Sequence, residues 1–538
     1  MKPLSAAPEH PAGGLFKPEA TTLLGLSGIL LLFLALRWNS FNLPLIRDEG
    51  EYAYAGNLLS HGLAPYQHAF LQKPPMIAYT YALAGLLAPH VFWFPRLLAY
   101  FFVALTTGLL AYIARLEFGR GIALPTIWLF TPMLLLPEID QFTANTEMFM
   151  LLPLLATITI YVRSRHYGCQ RGQWLSAGFL AATAFWYKYT ALPVLMVIFI
   201  AWSLEEWRAR QSLRWLCRRW FFALLGAAAA SLAILAFFLA KDGGNSLWDC
   251  TVRFNRFYAS SSSFGWATFP SVLKSLWSHW WILFLLPGLL LIRPAPRVAF
   301  WFVMWLAAWA SANASIYGHY YLPLMPTWAL LNAVALQKLA RWAATKSPFS
   351  EICWRRILIV LALACICFPD LPWMTRTKSQ FAARKFSGGN PFAESLLVGK
   401  RVAQLTSPQD YVFVAGSEPQ ILCYAQRFSP SRFVIAYPLM FPTPLAWGYQ
   451  HEAICELRQH PPAIIVFATS QLSWMPRKGT PSDFLDFLHQ FLATDYEVVG
   501  GYVLDDHTGH WMEPLPEPVR PKASLIVSRR KDFQKGVP

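Results

Sequence analysis

Residues 47–75 read RDEGEYAYAGNLLSHGLAPYQHAFLQKPP and follow the first long apolar run of the chain. The first five of them form a dense charged cluster, and a helical pattern comes after it. Acidic residues are favoured at a helix N-terminus by the helix dipole, so capping is one interpretation of Asp48, Glu49 and Glu51. A functional site is the other interpretation, because Lys73 adds a cation in the polar island that ends the stretch.

The composition is that of a membrane protein. Of 538 residues, 55% are hydrophobic and 14% are charged, and the mean hydropathy is +0.36. A soluble chain of this size needs more charge to cover its surface. The formal net charge of +16 would favour nucleic acid as the partner of a soluble protein. Here Lys and Arg in cytoplasmic loops that face anionic lipid explain the charge, so we expect membrane lipids and no nucleic acid as partners.

A membrane-spanning helix needs about 20 apolar residues. Eleven runs are candidates, and they lie at 19–37, 96–115, 120–136, 146–162, 174–187, 189–204, 220–240, 277–292, 298–314, 320–338 and 356–371. A further run at 76–90 has about 15 residues, which is more typical of an interfacial or re-entrant helix. The sequence therefore predicts an α-helical polytopic membrane protein with about 11 transmembrane helices.

Basic residues predict the orientation. If 76–90 does not span and the N-terminus is cytoplasmic, most Lys and Arg of the loops fall on the cytoplasmic side. If 76–90 spanned, every later loop would change sides and the bias would invert. The first apolar run lacks a cleavage site, so we expect it to stay in a multi-pass protein of the bacterial inner or plasma membrane. The segments predicted on the extracytoplasmic face are the first loop 38–95, the loops 137–145 and 241–276, the turn 315–319 and the last third of the chain.

The last third of the chain has a different character. Strand-like runs begin at Tyr411, Arg432, Ala463, Tyr496 and Ser524, and helical patterns separate them. Strands that alternate with helices predict a compact α/β domain with a mostly parallel sheet. We therefore divide the chain into a transmembrane domain, 1–373, and a soluble extracytoplasmic domain, 374–538.

The eight cysteines form no CxxC pair, which argues against a disulfide framework. Cys423 and Cys455 in the last third could still form a pair.

Two other extracytoplasmic segments carry candidate site residues. The second loop holds Glu138, Asp140 and Glu147, which are either solvated carboxylates or part of a site next to the first loop. Arg253 and Arg256 alternate with aromatic residues, a pattern that suits a phosphate headgroup on an apolar tail and equally suits plain lipid contact.

Three further polar residues lie at the ends of predicted spans. His319 and Tyr320 belong to the turn GHYYLPLMP at 318–326, and Lys188 stands between two tyrosines. Ionisable residues at the end of a span also snorkel to the membrane surface, so Lys188 fits a site and a membrane anchor equally well.

These motifs together resemble a known family. The run DEGEYAYAGNLLSHGLAPY and the following KPP, with RLLAYF at 96–101 and LEFG at 116–119, resemble the GT-C superfamily of membrane glycosyltransferases. More narrowly, they resemble the protein-mannosyltransferase-like and aminoarabinose-transferase-like group, glycosyltransferase family 39 and its relatives. GHYYLPLMP resembles a second signature of that group.

The resemblance implies a GT-C fold with a catalytic transmembrane domain. It also implies transfer of a sugar from a polyprenyl-phosphate carrier to an acceptor hydroxyl on the extracytoplasmic side, usually with inversion. Asp48 matches the catalytic aspartate, the expected general base, and Glu49 matches its acidic neighbour. Lys73 matches the lysine that binds the carrier phosphate.

The remaining positions match less closely. Arg256, with Arg253 as its alternative, and Tyr320 stand where family members contact the phosphate, and we group His319 and Lys188 with them. Asp140 is the first candidate for the acid of the second loop. Its rivals are Glu138 and Glu147, and Glu51 is a secondary candidate in the first loop.

No cofactor is expected, because a phosphate-linked sugar is already activated. No His, Asp and Glu spacing demands a divalent metal, and no Gly-rich loop indicates a nucleotide sugar. The sugar, a hexose or a pentose, and the acceptor, a lipid, a glycan or a protein, stay open because specificity depends on pocket shape.

Two alternative functions are a flippase or transporter of lipid-linked sugars and a non-catalytic relative. The first needs polar residues along a mid-membrane path, whereas these carboxylates cluster at one face. The intact Asp48, Glu49 and Lys73 argue against the second.

Overall fold

Apolar helices build the first two thirds of the chain, as the hydropathy pattern predicts. The computed structural model describes residues 20–37, 41, 43–135, 143–259, 268–292, 295–312, 315, 317–374, 376–377, 380, 389–504 and 509–533. The helices of the first part are α1 (Ala20–Arg37), α2 (Arg47–Ser60), α3 (Met76–Leu87), α4 (Phe94–Phe118), α5 (Arg120–Leu135), α6 (Thr146–Tyr167), α7 (Arg171–Tyr187), α8 (Leu192–Arg210), α9 (Leu213–Ala240), α10 (Gly244–Trp248), α11 (Phe254–Tyr258), α12 (Phe269–Leu291), α13 (Pro296–Ala312), α14 (Met325–Ala344), α15 (Glu351–Cys367) and α16 (Leu371–Met374). Short 3-10 helices are Tyr189–Ala191, Gly318–Leu324 and Phe368–Asp370, and Asp249–Arg253 is a π-helical turn.

Each of the eleven predicted spans coincides with a helix, so the helical polytopic membrane fold is confirmed. Four segments in the described part are long and apolar enough to cross a membrane by length and composition, namely Phe94–Phe118, Thr146–Tyr167, Tyr189–Arg210 and Leu213–Ala240. Others fall short of this length or are kinked: α5 is described over 16 residues, and α12 has a kink at Trp280. The number of membrane crossings stays a prediction.

Helix α3 is the ambiguous run of the sequence. Its 12 residues extend about 18 Å at 1.5 Å per residue, well short of the hydrocarbon core. One face packs tightly on α2, where a Cβ at Gly56 would lie 2.7 Å from the backbone nitrogen of Ala82. Leu86 and Leu87 are exposed on the other side. This geometry fits the predicted interfacial helix.

Helices α7 and α9 cross through small residues. A Cβ on Gly178 would lie 1.9 Å from the Ala223 carbonyl oxygen, and a Cβ on Gly226 would lie 2.0 Å from that of Leu175. Such crossings let helix backbones approach closely. Because α7 ends at Tyr187, this contact also fixes the position of Lys188.

The last part of the chain forms a mixed sheet between helices. Its strands are β1 (Val412–Ala415), β2 (Ile464–Ala468), β3 (Tyr496–Leu504), β4 (Gly509–Met512) and β5 (Ala523–Arg530), and its helices are α17 (Phe392–Leu405), α18 (Gln420–Ala425), α19 (Tyr437–Met440), α20 (Ala446–Gln459), α21 (Gln471–Trp474) and α22 (Asp483–Asp495). A short 3-10 helix, Glu517–Lys522, precedes β5.

The order of the strands is β1-β2-β5-β3-β4, and only β1 and β2 pair in parallel. The expected mostly parallel sheet is therefore wrong, because the last strand inserts between β2 and β3 in the opposite direction.

The predicted strand from Arg432 to Tyr437 is also wrong. This segment is buried but irregular, and it ends in α19. Its amides bond to side chains instead of a neighbouring strand: Phe433 N donates to Ser431 Oγ, and Ala436 N donates to Ser417 Oγ. Hydrophobic residues that are buried on both sides resemble a central strand in sequence, which explains the error.

The sheet domain packs directly on helix α2. A Cβ on Gly50 would lie 2.5 Å from the backbone nitrogen of Gln420, so only glycine fits there. Leu45 N donates to Tyr424 Oη at 2.8 Å. The first loop and the C-terminal domain therefore form one packed unit.

Cys423 and Cys455 do not pair, and both are free thiols. Cys423 is buried and donates its Sγ hydrogen to Gly50 O, whereas Cys455 is exposed on α20.

Candidate active site

The first turn of α2 sends its side chains in different directions. Arg47 points to the C-terminal domain, where its Nε donates to Ser417 O at 2.7 Å and its Nη2 lies 3.2 Å from the fully buried Glu418 carboxylate. The guanidinium of Arg47 is thus occupied in domain packing.

Glu49 is buried in an ion pair with Arg96 of α4. Arg96 Nε and Nη2 lie 2.8 and 2.5 Å from its two carboxylate oxygens, and Ala144 N donates to one of them at 3.0 Å. Arg96 also donates to backbone carbonyls of the segment before α2, including Leu43 O at 2.6 Å and Pro44 O at 3.0 Å. The pair joins the first loop, α4 and the second loop.

Arg96 carries no role in the sequence prediction, although it begins the motif RLLAYF. The sequence feature that could have identified Arg96 is its position as a lone arginine at the start of an apolar run, because a charged residue there needs a partner. With both oxygens engaged, Glu49 suits a role that holds its neighbours in position.

Asp48 is the unengaged carboxylate of this turn. It is half-buried and accepts no hydrogen bond from the described residues. It lies near enough to Lys73 for its charge to raise the pKa of that lysine. Unlike the Glu49 carboxylate, it does not join neighbouring elements of the described structure.

Lys73 is half-buried and makes no ion pair within the described ranges. Burial acts to lower the pKa of its ammonium group, but Tyr320, Asp48 and Glu51 outweigh this effect and raise the pKa above the ordinary value. Lys73 therefore stays protonated at neutral pH. Tyr66 Oη holds the loop by donating to Lys73 O at 2.9 Å.

Glu51 lies beside this lysine and is only 1% exposed. Within the described ranges, neither of its carboxylate oxygens has a hydrogen-bond partner, and neither does the side-chain amide nitrogen of Gln72. Burial raises the pKa of Glu51 to about 8, although Lys73 acts in the opposite direction. The carboxyl group is therefore mostly neutral at pH 7.

A cavity of about 190 Å³, which we call the Lys73 cavity, opens beside these groups. Its lining residues are Gln72, Lys73, Pro74, Lys188, Tyr189, Thr190, Asn255, Tyr258, Ala259 and Tyr320. Asn255 Nδ2 donates to Gln72 O at 2.8 Å and so joins the loop to α11. The cavity thus combines a cation with aromatic and amide groups.

Lys188 is buried in the wall of the Lys73 cavity, so it does not snorkel. Its ammonium pairs with Glu147 and lies 3.2 Å from the centre of the Tyr320 ring. His319 Nε2 is 3.9 Å from the same Glu147 oxygen. Glu147 is therefore the acid near the second loop that the described structure brings to the cavity, and it already has a cationic partner.

The other predicted site residues are not among those that the described structure brings to the Lys73 cavity. Glu138 and Asp140 lie outside the described residues. Arg256 is exposed on α11 and does not line the Lys73 cavity. Arg253 lies 3.4 Å from Asp249 and lines a second, larger cavity. The larger cavity contains neither Asp48 nor Lys73, so size does not identify the reactive site.

Among the described residues, no group of three His, Cys, Asp or Glu side chains could hold a metal ion. The expectation that no cofactor is needed stays a prediction.

Comparisons with known proteins agree with this architecture. Residues 72–239 match the model of the dolichyl-phosphate-mannose-protein mannosyltransferase family. ArnT from Cupriavidus metallidurans bound to undecaprenyl phosphate has 15% identity and a TM-score of 0.62, and the match covers 97% of this chain and 100% of that one. No curated protein matches the chain in sequence.

Archaeal oligosaccharyltransferases are similar as well. The Archaeoglobus fulgidus enzyme tethered to an acceptor peptide has 11% identity and a TM-score of 0.52, with 92% of this chain and 74% of that one covered. AglB from the same organism, in complex with an inhibitory peptide and dolichol phosphate, has 12% identity, a TM-score of 0.51 and coverage of 92% and 75%. The GT-C resemblance of the sequence is confirmed, and the chain has the GT-C fold.

The Glu49–Arg96 pair is expected to hold the site together. Arg96→Met leaves a buried, unpaired carboxylate and should cost about 3–5 kcal/mol of unfolding free energy. The double variant Glu49→Gln/Arg96→Met removes both charges and should recover part of that loss. Thermal unfolding of the purified protein in detergent measures the effect.

Arg401→Met, at an exposed position of α17, is the control and should change stability by about 0.5 kcal/mol or less. A double variant no more stable than Arg96→Met would contradict the importance of the charge pair.

Proposed function

We propose that this protein transfers a sugar from a polyprenyl-phosphate carrier to an acceptor hydroxyl at the extracytoplasmic face of the membrane, with inversion. One observation carries the proposal. The unengaged carboxylate of Asp48 lies near the unpaired ammonium of Lys73, which lines a cavity next to the interfacial helix α3. A base and a phosphate-binding cation are the two groups that this reaction requires.

Lys73 binds the carrier phosphate. Its positive charge is not neutralised by an ion pair in the described structure, so it is available to an anion. A fixed cation stabilises the charge that builds on the departing phosphate. A carrier phosphate as the ligand is supported by two similar structures, because ArnT was solved with undecaprenyl phosphate and AglB with dolichol phosphate.

Asp48 activates the acceptor. The acceptor oxygen attacks the anomeric carbon of the sugar while the bond from that carbon to the phosphate oxygen breaks. The hydroxyl proton passes to Asp48, and the carrier phosphate leaves with the bonding electrons. Attack from the face opposite the leaving group inverts the anomeric centre.

The second ion pair of the cavity positions the donor. Lys188 is neutralised by Glu147, so it adds little net charge and serves to hold the Tyr320 ring in the wall. Tyr258 and Tyr320 form an amphipathic surface for the phosphate and the first part of the polyprenyl chain. The sugar, a hexose or a pentose, fills the space between this wall and Asp48.

Asp48→Asn is expected to slow sugar transfer by about 10²–10⁴-fold, because the amide cannot accept the proton. Transfer of labelled sugar from a panel of polyprenyl-phosphate donors, in membranes that contain the native acceptor, measures the loss. Asp242→Asn is the matched control, since Asp242 is exposed and its φ of 54° suits asparagine equally well. Unchanged turnover in Asp48→Asn would exclude Asp48 as the base.

Lys73→Met keeps much of the volume of the side chain and removes its charge. Binding of undecaprenyl phosphate to the purified protein should weaken by about 10–100-fold, the worth of one charge-assisted hydrogen bond. Native mass spectrometry or a competition assay measures the affinity. Lys241→Met, at an exposed lysine after α9, should leave it unchanged. Equal affinity of Lys73→Met and wild type would contradict the phosphate assignment.

Donor binding should weaken as the pH rises through about 8. Glu51 has a raised pKa, so it is neutral below this value and becomes a carboxylate beside Lys73 above it. The negative charge then competes with the phosphate, while Lys73 stays protonated. For the same reason, the stability that this group contributes is complete below its ordinary pKa and is lost as the pH rises through about 8.

Glu51→Gln should abolish this pH dependence of undecaprenyl phosphate affinity. The affinity is measured at pH values on both sides of 8. An equally steep decrease in Glu51→Gln would show that another group titrates.

A further inference from the structure

A second cavity, of about 740 Å³, lies between the segment that follows α9 and the C-terminal domain. We call it the Trp248 cleft. Trp248 and Trp447 line it from the two sides and are 61% and 59% exposed. Both indoles are exposed, so they are accessible to a ligand that enters the cleft.

The charges of the cleft neutralise one another. Arg432 lies 3.1 Å from Asp249 and 2.6 Å from Glu452, and Tyr449 Oη donates to Asp249 at 3.0 Å. Arg253 adds a further contact to Asp249 at 3.4 Å. Unlike the Lys73 cavity, the cleft therefore offers no unpaired cation to a phosphate, which favours a neutral ligand.

The polar groups between the two indoles are available to form hydrogen bonds with a ligand. The side chains of Asn245 and Ser246 make no hydrogen bond to any part of the chain that the structure describes. Gln67 donates through its nitrogen to Lys241 O, and its oxygen accepts no hydrogen bond from the described residues. Glu452 is partly exposed and has lone pairs beyond those that Arg432 uses. The cleft thus offers donors and acceptors beside aromatic planes.

This combination matches the chemistry of a neutral sugar. A pyranose ring has an apolar C–H face that packs on an indole and hydroxyl groups at its edge that need donors and acceptors. A lipid surface also suits exposed tryptophans. However, an amide, a hydroxyl and a carboxylate group within a concave surface match the several hydroxyl groups of a sugar, so the lining favours carbohydrate.

One aromatic wall separates the cleft from the Lys73 cavity. Tyr449 lines the cleft, and its ring centre lies 5.3 Å from that of Phe70 and 6.3 Å from that of Phe254. The Phe254 ring lies 6.2 Å from Tyr258, which lines the Lys73 cavity. A ligand in the cleft is therefore held next to the donor site.

We infer that the Trp248 cleft binds a neutral carbohydrate, the glycan part of the acceptor. Only the role as acceptor rests on the proposed function, since the lining alone indicates the sugar. The acceptor is accordingly a glycan or a glycolipid whose sugar portion lies outside the membrane.

The test measures binding of the neutral trisaccharides of glucose, mannose and N-acetylglucosamine to the full-length protein in detergent, by calorimetry and tryptophan fluorescence. Wild type should bind at least one of them. Trp248→Ala and Trp447→Ala should each weaken that binding at least tenfold, with unchanged thermal unfolding. Trp342→Ala is the matched control, because Trp342 is also 61% exposed but lies at the end of α14, outside the cleft.

Two results would overturn the inference: no binding of any of these sugars, or equal binding by wild type and both tryptophan variants. Asp48→Asn should keep the sugar affinity while losing transfer. If Asp48→Asn still transfers sugar but the tryptophan variants lose sugar binding, the proposed mechanism fails and the carbohydrate site stands.

Discussion

The buried ion pair between Glu49 and Arg96 is the constraint on which the site depends. Burying two charges is costly, and such a pair is tolerated only where hydrogen bonds satisfy the remaining groups. Here Arg96 reaches backbone carbonyls before α2, and Glu49 accepts the amide of Ala144. Because these bonds tie the start of α2 to α4 and to the second loop, they also set the direction of the adjacent Asp48.

Charge pairing divides the polar residues of the first loop into supporting and available groups. Arg47 is held by the buried Glu418, and Glu49 is held by Arg96. On the opposite wall Lys188 is held by Glu147. Asp48, Glu51 and Lys73 have no such partner in the described structure. Under the proposed function, Asp48 and Lys73 are the groups that act on the substrate.

The sequence predicts the parts of this arrangement that local patterns encode. Each of the eleven long apolar runs coincides with a helix, and the short run at 76–90 forms the 12-residue helix α3, whose interfacial position stays a prediction. Asp48 and Lys73 stood out as charges next to membrane segments. Arg96 did not, since its partner lies 47 positions away and only the fold brings the two together. The sequence likewise did not single out Glu147 as the acid beside Lys188, because only the fold brings these two residues together.

The direction of the strands could not be predicted from the sequence, for a related reason. Alternating or apolar runs identify β2 and β5 as strands, but the same residues suit parallel and antiparallel neighbours. The insertion of the final strand between β2 and β3 depends on contacts across the whole domain. The strand prediction for Arg432 to Tyr437 was wrong for a similar reason. This segment is buried by packing between the sheet domain and Phe70 of the first loop, which the sequence does not show.

The C-terminal domain packs directly on the helix that carries Asp48. Gly50, two residues after Asp48, has its backbone against Gln420, so any movement of the domain would shift the first turn of α2. The same domain supplies Arg432 and Tyr449 to the aromatic wall between the two cavities. Under the proposed function, the donor and the acceptor glycan bind on opposite sides of this wall.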